Sequence, residues 1–394
     1  MVELVDLNAV RPGMRLAKSI FDGEGKLLLG AGITLRPVHI KRLKARGLPR
    51  VYVTTGETLD GILMDEPVSE EIRQKAYQSI KSFSDQLQLQ WAKHMGTGVG
   101  REKTSSLMEA SRNLAISHTA VARVKATVNS VLEEVLSQPS VMVGLVDLRS
   151  LDDPVQNTLN HCLQVAVLAL STGRVLGLDN RSLADLGTGA ILHDVGKTMI
   201  PESILLKPGK LNDEEWAVVR QHSELGFEVL RNTRGIGPVA AHVAFQHHER
   251  SDGSGYPRGL AGPDISAYSK ICAVCDVYDA MTSPRVYKPS VHPVTALRHI
   301  IDNRDTLYDG ATVDAFTKVV APYPVATPVM LNSGERALVK KLNPEQPDRP
   351  VVMASHDNRG RSYPRSREYD LSQEEHLEIA DQLYQQANSL GGPD

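Results

Sequence analysis

Cysteine is scarce in this sequence, since 394 residues contain only Cys162, Cys272 and Cys275. Three cysteines are too few for a disulfide framework in a chain of this length, so we expect a reducing compartment. No apolar run approaches the roughly 18 to 20 residues that span a bilayer, and the N-terminus lacks the basic and then apolar layout of a signal peptide. We therefore expect a cytoplasmic protein without a membrane span.

The sequence also lacks an excess of charge of either sign. It has 44 basic against 47 acidic residues, a formal net charge of −3 at pH 7. No global field therefore favours a nucleic-acid polymer or an anionic membrane surface. The basic residues Lys41, Arg42, Lys44 and Arg46 have no aromatic residue among them, which favours a solvated helix face. Local groups must bind any anionic ligand.

With 41% hydrophobic residues, the chain is long and apolar enough to bury more than one core. Hydrophobic periodicity predicts a mainly α fold with a small α+β region at the N-terminus. Residues 336–339 and 350–353 predict a short β-hairpin, and residues 372–389 predict a final helix. We expect a small α+β domain for regulation or dimerisation over residues 1–66, connecting helices over 67–138, an all-helical domain over 139–330 and an extension with the hairpin and helix over 331–394.

Histidine is unevenly distributed along the chain. Six of the 13 histidines fall within 88 residues, where an even distribution would place about three. We therefore look for the chemistry of the protein in this region, although we regard His242 as structural. The six are His161, His193, His222, His242, His247 and His248.

Several polar groups of this region lie on apolar faces of predicted helices. His161 is in line with Val165 on one helix, and Asp276 is in line with apolar residues on another. A lone inward histidine is more often a hydrogen-bonded core residue than a ligand, but an inward carboxylate costs several kcal/mol unless it is paired or bound to a metal. His193 and Asp194 end a third helix, and the four groups could satisfy one another by sharing a metal ion.

Three more imidazoles, those of His222, His247 and His248, face the same interior by their spacing from apolar residues. Five imidazoles and two carboxylates are more than one ion normally takes from a protein. Two divalent ions are the simplest explanation. Such a pair suits phosphoester hydrolysis, because a bridging hydroxide can attack while both ions hold phosphate oxygens.

Two motifs resemble the signatures of the HD-GYP family, a branch of the HD metal-dependent phosphohydrolases that hydrolyses the bacterial second messenger cyclic di-GMP. They are His193-Asp194 with Gly196-Lys197, and HHERSDGSGYP from His247 to Pro257. The similarity continues through ILLKPGKLNDEEW and CDVYDAMTSPRVYKP and covers about half of the chain, from about 140 to 330. It implies that the helical domain is an HD-type bundle.

The resemblance also implies a role for individual residues. Asp194 would bridge two ions, iron or manganese, and Lys197 would hold the scissile phosphate and stabilise its charge. Tyr256, Asp279, Arg285 and Lys288 match positions that contact the dinucleotide. The metal ligands would be His161, His193, Asp194, His222, His247, His248 and Asp276.

One position departs from the family. Some members hold a third ion with a glutamate four residues before the first ligand histidine, and this chain has Asn157 there. An amide is a poor ligand for a third hard cation, so we predict two ions. The pair Cys272 and Cys275 lies in an apolar helix without a second such pair, which favours small packing residues over a zinc or redox site.

The resemblance thus implies a phosphodiesterase, a phosphoric diester hydrolase, that converts cyclic di-GMP to pGpG or on to GMP. It also implies a homodimer and contacts with signalling proteins. Three other functions stay open. They are hydrolysis of another nucleotide by an HD hydrolase, sensing of cyclic di-GMP with little catalysis, and a structural helical domain, which would leave five inward imidazoles unexplained.

Overall fold

The computed structural model describes residues 2–16, 20–21, 27–30, 32–46, 50–54, 68–95, 104–114, 116–138, 154–207, 209–283, 291–325 and 327–380. These residues are mainly helical, as the sequence predicted, with strands towards both ends of the chain. Within them, no helix has both the length and the apolar character that crossing a bilayer requires.

The N-terminal region combines short strands with one helix, which agrees with the expected α+β fold. Its elements are β1 (Val2–Asp6), β2 (Arg15–Leu16), β3 (Ile20–Phe21), β4 (Leu27–Leu29), α1 (Pro37–Ala45) and β5 (Arg50–Thr54). Strand β5 lies between β1 and β2 and is antiparallel to both, and β3 pairs with β4. Helix α1 begins at Pro37, whose fixed φ suits a first helical turn. Ile40 and Leu43 of α1 pack against Val51 and Val53 of β5 in one small core.

Three helices follow, α2 (Glu70–Met95), α3 (Thr104–Arg112) and α4 (His118–Ser137). We expected them to connect two domains, but their apolar residues share one core with the helices that come later in the chain. Phe83 and Leu87 of α2 are fully buried in that core. A Cβ added at Gly187 would lie 2.8 Å from Val128 of α4, so a later helix packs closely on α4 there. These three helices are part of the bundle.

The bundle continues through residues 154–319. Its helices are α5 (Pro154–Val175), α6 (Asn180–Leu192), α7 (Glu202–Leu205), α8 (Asp213–Arg220), α9 (His222–Asn232), α10 (Pro238–Gln246), α11 (Ala267–Thr282), α12 (Pro293–Asp302) and α13 (Gly310–Val319), with 3₁₀ turns at Val195–Met199 and Gly262–Asp264. Helix α5 packs against α2, α4, α6, α11 and α13. Its apolar stretch from Val165 to Leu170 is buried on every side, so α5 lies at the centre of the bundle.

Side chains at the helix starts explain several of these boundaries. Asp179 accepts a hydrogen bond from the backbone of Ser182 at 2.7 Å and caps α6. Asn212 and Glu215 bond reciprocally to each other's backbone N–H groups, at 2.8 and 2.9 Å, and begin α8. The helical spacing after Trp216 is interrupted at Gln221, where α8 ends and α9 begins.

Gly196 allows the 3₁₀ turn after α6 to lie directly against the start of α9. A Cβ added at this position would lie 1.8 Å from the carbonyl oxygen of His222 and 2.8 Å from the backbone nitrogen of Gly226. Only a glycine tolerates such a close approach of two backbones. The contact brings the segment that follows His193 next to His222.

The C-terminal region is an antiparallel sheet of five strands. Its strands are β6 (Pro328–Leu331), β7 (Arg336–Lys341), β8 (Val351–His356), β9 (Ser362–Asp370) and β10 (Ile379–Ala380), in the spatial order β10-β6-β7-β8-β9. The predicted hairpin corresponds to β7 and β8 and is confirmed as the middle of this sheet. Val339 and Val352 face its small core.

The predicted helix over 372–389 is wrong where the structure describes that segment. The chain makes turns up to residue 378, and Ile379 and Ala380 then pair with β6. The Arg349 guanidinium donates to the carbonyl oxygens of Leu371, Glu374 and Leu377 at 2.7 to 3.1 Å. A side chain from outside the segment therefore binds carbonyl oxygens that a helix would pair with its own N–H groups, although the Glu374 carbonyl also accepts from the Leu377 N–H in a turn. Residues 381–389 lie outside the described part of the chain.

Candidate metal centre

The seven predicted metal ligands come from separate elements of the bundle and meet in its interior. One carboxylate comes from the turn after α6, and the other comes from α11. The imidazoles lie on α5, at the ends of α6 and α10, and at the first residue of α9. The seven are His161, His193, Asp194, His222, His247, His248 and Asp276, and all but His248 are buried.

Their ligand atoms form two groups in which all atoms lie within 4.8 Å of one another. One group is His161, His193 and Asp276, and the other is Asp194, His222, His247 and His248. Either group has enough donors for one ion, since metal sites in proteins commonly use three or four protein ligands. The division agrees with the two ions expected from the number of donors.

Asp194 lies between the two groups and presents a different oxygen to each. Its Oδ2 is 3.6 Å from His161 Nε2 and 3.4 Å from His193 Nε2. Its Oδ1 is 3.4 Å from His222 Nε2 and 3.7 Å from His247 Nε2. A carboxylate in this position can bridge two ions, one through each oxygen.

Hydrogen bonds to the backbone orient three of the imidazoles. The Nδ1 atoms of His193, His222 and His247 donate to carbonyl oxygens one helical turn earlier, at 2.7, 2.6 and 2.9 Å. These bonds assign the proton to Nδ1 and leave the Nε2 lone pair facing Asp194. The helix ends thus prepare the rings to bind a cation.

Two buried atoms of the cluster make no hydrogen bond with any described residue. They are His193 Nε2 and Asp194 Oδ1. Buried polar groups are almost always paired, because an unpaired one costs about 1 to 3 kcal/mol. A cation in each group would pair both atoms, because His193 Nε2 belongs to one group and Asp194 Oδ1 faces the other. The donors are imidazole nitrogens and carboxylate oxygens, a set that fits divalent iron, manganese or zinc.

The electrostatics of the cluster favour the protonation states of metal ligands. Burial opposes the charge of Asp194, but Lys197 and His193 outweigh burial and hold the pKa of the carboxyl well below its usual range. Burial lowers the pKa of His222 to about 3 and keeps that ring neutral. His161 differs, because hydrogen bonds to two aspartates outweigh burial and raise its pKa to about 9. Without a metal ion, this imidazole is therefore protonated at pH 7 and pairs with the two carboxylates.

Lys197 lies at the more exposed side of the cluster. Its Nζ is 2.5 Å from Asp194 Oδ2, and its side chain is 31% exposed. His248 is the most exposed of the ligands, with 18% of its side chain accessible. These two side chains are the parts of the site that solvent reaches most easily.

The segment after His248 forms a loop that folds back on the chain. The Tyr256 ring stacks on the His248 ring with centroids 4.6 Å apart, and the Tyr256 N–H donates to the His248 carbonyl. A Cβ added at Gly255 would lie 2.5 Å from the Glu249 Cα, so the loop folds tightly back on the chain it leaves. The aromatic ring is thereby held beside a predicted metal ligand.

Glu249 holds this loop in place, a role that the sequence reasoning missed. Its side chain is 2% exposed, and its carboxylate accepts hydrogen bonds from the backbone N–H groups of Arg258 and Leu260, both at 2.9 Å. A carboxylate directly after two adjacent histidines was the available signal.

Asp279 lies in a different place from the one expected. The resemblance implied contact with the dinucleotide, but the residue is 2% exposed and its Oδ2 lies 2.5 Å from His161 Nδ1. It therefore lies behind a ligand histidine, and its carboxylate orients that ring as carbonyl groups orient the other rings. Because Asp276 and Asp279 are three residues apart, both lie on the same face of α11.

The remaining candidate residues differ in what the structure says about them. Arg285 and Lys288 lie outside the described residues. Asn157 lies one turn before His161 on α5, and its Oδ1 is buried without a hydrogen-bond partner among the described residues. Cys272 and Cys275 are fully buried in α11, and burial raises the pKa of both thiols.

The helical bundle carries a cluster of histidines and aspartates that could hold metal ions, an arrangement similar to that of an HD domain. Comparison with protein families agrees, because residues 141–312 match the family described as an HD domain. Residues 328–389 match the family described as a KOW domain associated with an HD domain. Residues 141–312 thus match an HD domain and residues 328–389 an HD-associated KOW domain, which confirms the HD resemblance that the motifs indicated.

Curated relatives share the central region. The cyclic di-GMP phosphodiesterase PA4108 of Pseudomonas aeruginosa is 38% identical over 212 residues, 54% of this chain and 50% of that protein. The cyclic di-GMP phosphodiesterase response regulator RpfG of Xanthomonas campestris is 37% identical over 197 residues, 50% of this chain and 51% of that protein. The 3'3'-cGAMP-specific phosphodiesterase 2 of Vibrio cholerae is 43% identical over 129 residues, 32% of this chain and 25% of that protein. The chain spans about half the length of the first two.

Proposed function

We propose that this chain is a metal-dependent phosphodiesterase that hydrolyses cyclic di-GMP to linear pGpG, with GMP as the product of a further cleavage. The observation that carries this proposal is the position of Asp194 between two groups of ligand atoms. The names of the Pseudomonas and Xanthomonas relatives supply the substrate.

The seven clustered residues would hold two divalent ions, which we propose to be iron or manganese. Bound there, the ions would lower the pKa of a water molecule and polarise phosphate oxygens. Asp194 would face both ions, while His161, His193 and Asp276 would serve one and His222, His247 and His248 the other. The backbone bonds to Nδ1 would keep the rings aligned throughout a turnover.

Lys197 and Tyr256 would act on the substrate itself. The Lys197 ammonium, now beside Asp194, can move to a phosphate oxygen and stabilise the charge that develops there. Tyr256 lies on the loop that Glu249 anchors, where its ring can cover one side of the bound nucleotide. We propose that Arg285 and Lys288 also contact the dinucleotide, as the family motif implies.

A second cyclic dinucleotide is a specific alternative, because one relative is named a 3'3'-cGAMP-specific phosphodiesterase. The metal ligands would be the same for both substrates, and only the residues that contact the bases would differ. A third outcome is a sensor that binds cyclic di-GMP without useful turnover. Intact ligands at all seven positions support the enzyme over the sensor.

A substrate panel tests the proposal. Protein purified without oxygen and loaded with iron or manganese is given cyclic di-GMP, 3'3'-cGAMP and linear pGpG, and kcat/KM is measured for each. The proposal expects the highest value for cyclic di-GMP and no turnover by His193→Ala. The exposed His242 provides a matched control, since His242→Ala removes an imidazole outside the cluster. A higher kcat/KM for 3'3'-cGAMP supports the alternative, and tight binding without turnover supports the sensor.

The other regions have roles that we also propose. Residues 1–66 would regulate the enzyme or contribute to a homodimer, and signalling proteins are the expected partners. The HD domain would extend beyond the predicted limits of 139–330, because helices α2 to α4 share its core. Analytical ultracentrifugation of the full chain tests the homodimer.

A further inference from the structure

Arg220 lies close to the metal centre because of the break between α8 and α9. It is the last residue of α8, and the ligand His222 is the first residue of α9. Two residues span at most about 7 Å of chain, so the backbone of Arg220 is fixed relative to a metal ligand. Its guanidinium carbon lies 5.3 Å from the centre of the Tyr256 ring.

The Arg220 side chain carries a charge that the described residues do not neutralise. It is exposed, and its guanidinium makes no ion pair with any carboxylate of the described residues. The cation–π contact with Tyr256 holds the guanidinium in place without cancelling its charge. Three other cations of this region have acidic partners: Lys197 pairs with Asp194, Lys207 with Glu215 and Arg231 with Glu228. Arg250 lies over the Tyr308 ring instead, with its guanidinium carbon 5.4 Å from the ring centre.

A cyclic dinucleotide brings two phosphodiester groups, and each carries one negative charge. The group to be cleaved would meet the metal centre and Lys197. Arg285 and Lys288 lie outside the described residues, and among the described ones Arg220 is a cation close to the centre that can meet the other group. Arginine suits this second group, because its planar fork donates two parallel hydrogen bonds to two phosphate oxygens. Tyr256 contacts both the ligand His248 and Arg220, so it connects the centre to this cation.

We propose that Arg220 binds the phosphate of a cyclic dinucleotide that is not being cleaved, and so favours substrates with two phosphates over simple phosphodiesters. This inference rests on the proposed function, since it assigns a further contact within the same site. It concerns affinity for the substrate and leaves the reacting groups unchanged.

The test compares Arg220→Ala with wild type on two substrates, using the metal-loaded full chain. Cyclic di-GMP has two phosphates, and bis(p-nitrophenyl) phosphate has one. A lost charged hydrogen bond predicts a rise in KM for cyclic di-GMP of about 10- to 100-fold, with kcat within about twofold of wild type. Activity on bis(p-nitrophenyl) phosphate should be unchanged, and Arg220→Lys should recover part of the affinity.

Arg231 offers a matched control. Its guanidinium carbon lies 5.4 Å from the centre of the Phe227 ring, so Arg231→Ala also removes an arginine from an aromatic ring. We expect no change in KM for this variant. An unchanged KM in Arg220→Ala overturns the inference, and so does an equal loss of activity on both substrates, which would mean that Arg220 acts through the metal centre.

Failure of the proposed function can be recognised separately. If the wild type does not cleave cyclic di-GMP, its Kd for this nucleotide is measured on the same metal-loaded proteins by calorimetry. A Kd about 10- to 100-fold weaker in Arg220→Ala then still supports the inference. Equal affinities, or no binding by the wild type, overturn it.

Discussion

The Nδ1 atom of His161 lies 2.5 Å from the Oδ2 atom of Asp279, and this contact joins the central helix α5 to α11. The other ring nitrogen of the same imidazole, Nε2, lies 3.1 Å from Asp276 Oδ1. Asp276 is therefore a candidate metal ligand, and Asp279 orients the neighbouring candidate ligand His161. Both come from α11, so its position against α5 sets the geometry of this half of the centre.

Removing the Asp279 carboxylate should weaken metal binding without removing a ligand. We expect Asp279→Ala to lower the affinity for the ions about 10- to 100-fold, the usual effect of losing a group that orients a metal-binding histidine. Asp279→Asn should have a smaller effect, since its amide oxygen still accepts a hydrogen bond. Metal retained during dialysis against a graded series of chelator concentrations measures the change. Asp302 is exposed, so Asp302→Asn serves as the control. Equal metal retention in wild type and Asp279→Ala would contradict the orienting role of Asp279.

The wild type should bind two ions per chain, and the number that remains should depend on which candidate ligand is replaced. Asp194 faces both groups, so Asp194→Ala should lose both ions, whereas His248→Ala should keep one. Elemental analysis of protein purified without oxygen gives the ratio. Three ions per chain would show that Asn157 does not prevent a third site.

Gly196→Ala should disrupt the contact between the turn after α6 and the start of α9. The new Cβ would lie 1.8 Å from the carbonyl oxygen of His222, and backbone atoms cannot move aside easily. We expect a loss of at least about 1 to 3 kcal/mol of stability, together with weaker metal binding. Thermal unfolding followed by far-UV circular dichroism measures the loss.

Gly262→Ala is the matched control for this variant. Its new Cβ would lie 3.7 Å from the nearest atom, an ordinary contact. We expect no change in its unfolding temperature. A Gly196→Ala protein as stable as this control would mean that the two backbones do not approach each other as described.

The C-terminal sheet should depend on pH through Glu335. Burial opposes the charge of this side chain, but hydrogen bonds from Tyr363, Ser333 and Tyr369 at 2.6 to 3.1 Å outweigh burial and lower its pKa from 4.5. A carboxyl whose pKa is lower in the folded state stabilises the fold above its ordinary pKa. That contribution is lost as the pH falls through the lower, folded value.

Glu335→Gln should therefore destabilise the sheet at pH 7 by about 1 to 3 kcal/mol, the range for a hydrogen bond to a charged group. The difference between wild type and variant should shrink as the pH is lowered towards 4. Hydrogen exchange of the amides in β6 to β9, corrected for intrinsic rates, measures the opening of this sheet alone. A difference that stays constant with pH would exclude the charge as the cause.

The clustering of the candidate ligands could be predicted from the sequence, because most of them lie at helical spacing from apolar residues, while His193 and Asp194 end a predicted helix. Such spacing places His161 and Asp276 on buried faces whatever the arrangement of the helices. Spacing does not say which of two inward carboxylates meets a metal ion and which meets a histidine. The role of Asp279 therefore required the positions of α5 and α11 in space.

The C-terminal region was harder to predict, because a distant residue decides its conformation. Helical spacing after residue 372 is compatible with a helix, but Arg349 binds the carbonyl oxygens that the helix would use. Glu249 is a similar case, since its two partners lie 9 and 11 residues further along the chain. Local patterns cannot reveal hydrogen bonds of this kind.

The most direct test of the account is an analysis of reaction products. Protein purified without oxygen and loaded with iron or manganese is incubated with cyclic di-GMP, beside the Asp194→Ala variant, and the nucleotides are separated by chromatography. We predict pGpG or GMP with the wild type and intact cyclic di-GMP with the variant. Intact cyclic di-GMP in both samples, with metal confirmed in the wild type, would contradict the proposed function.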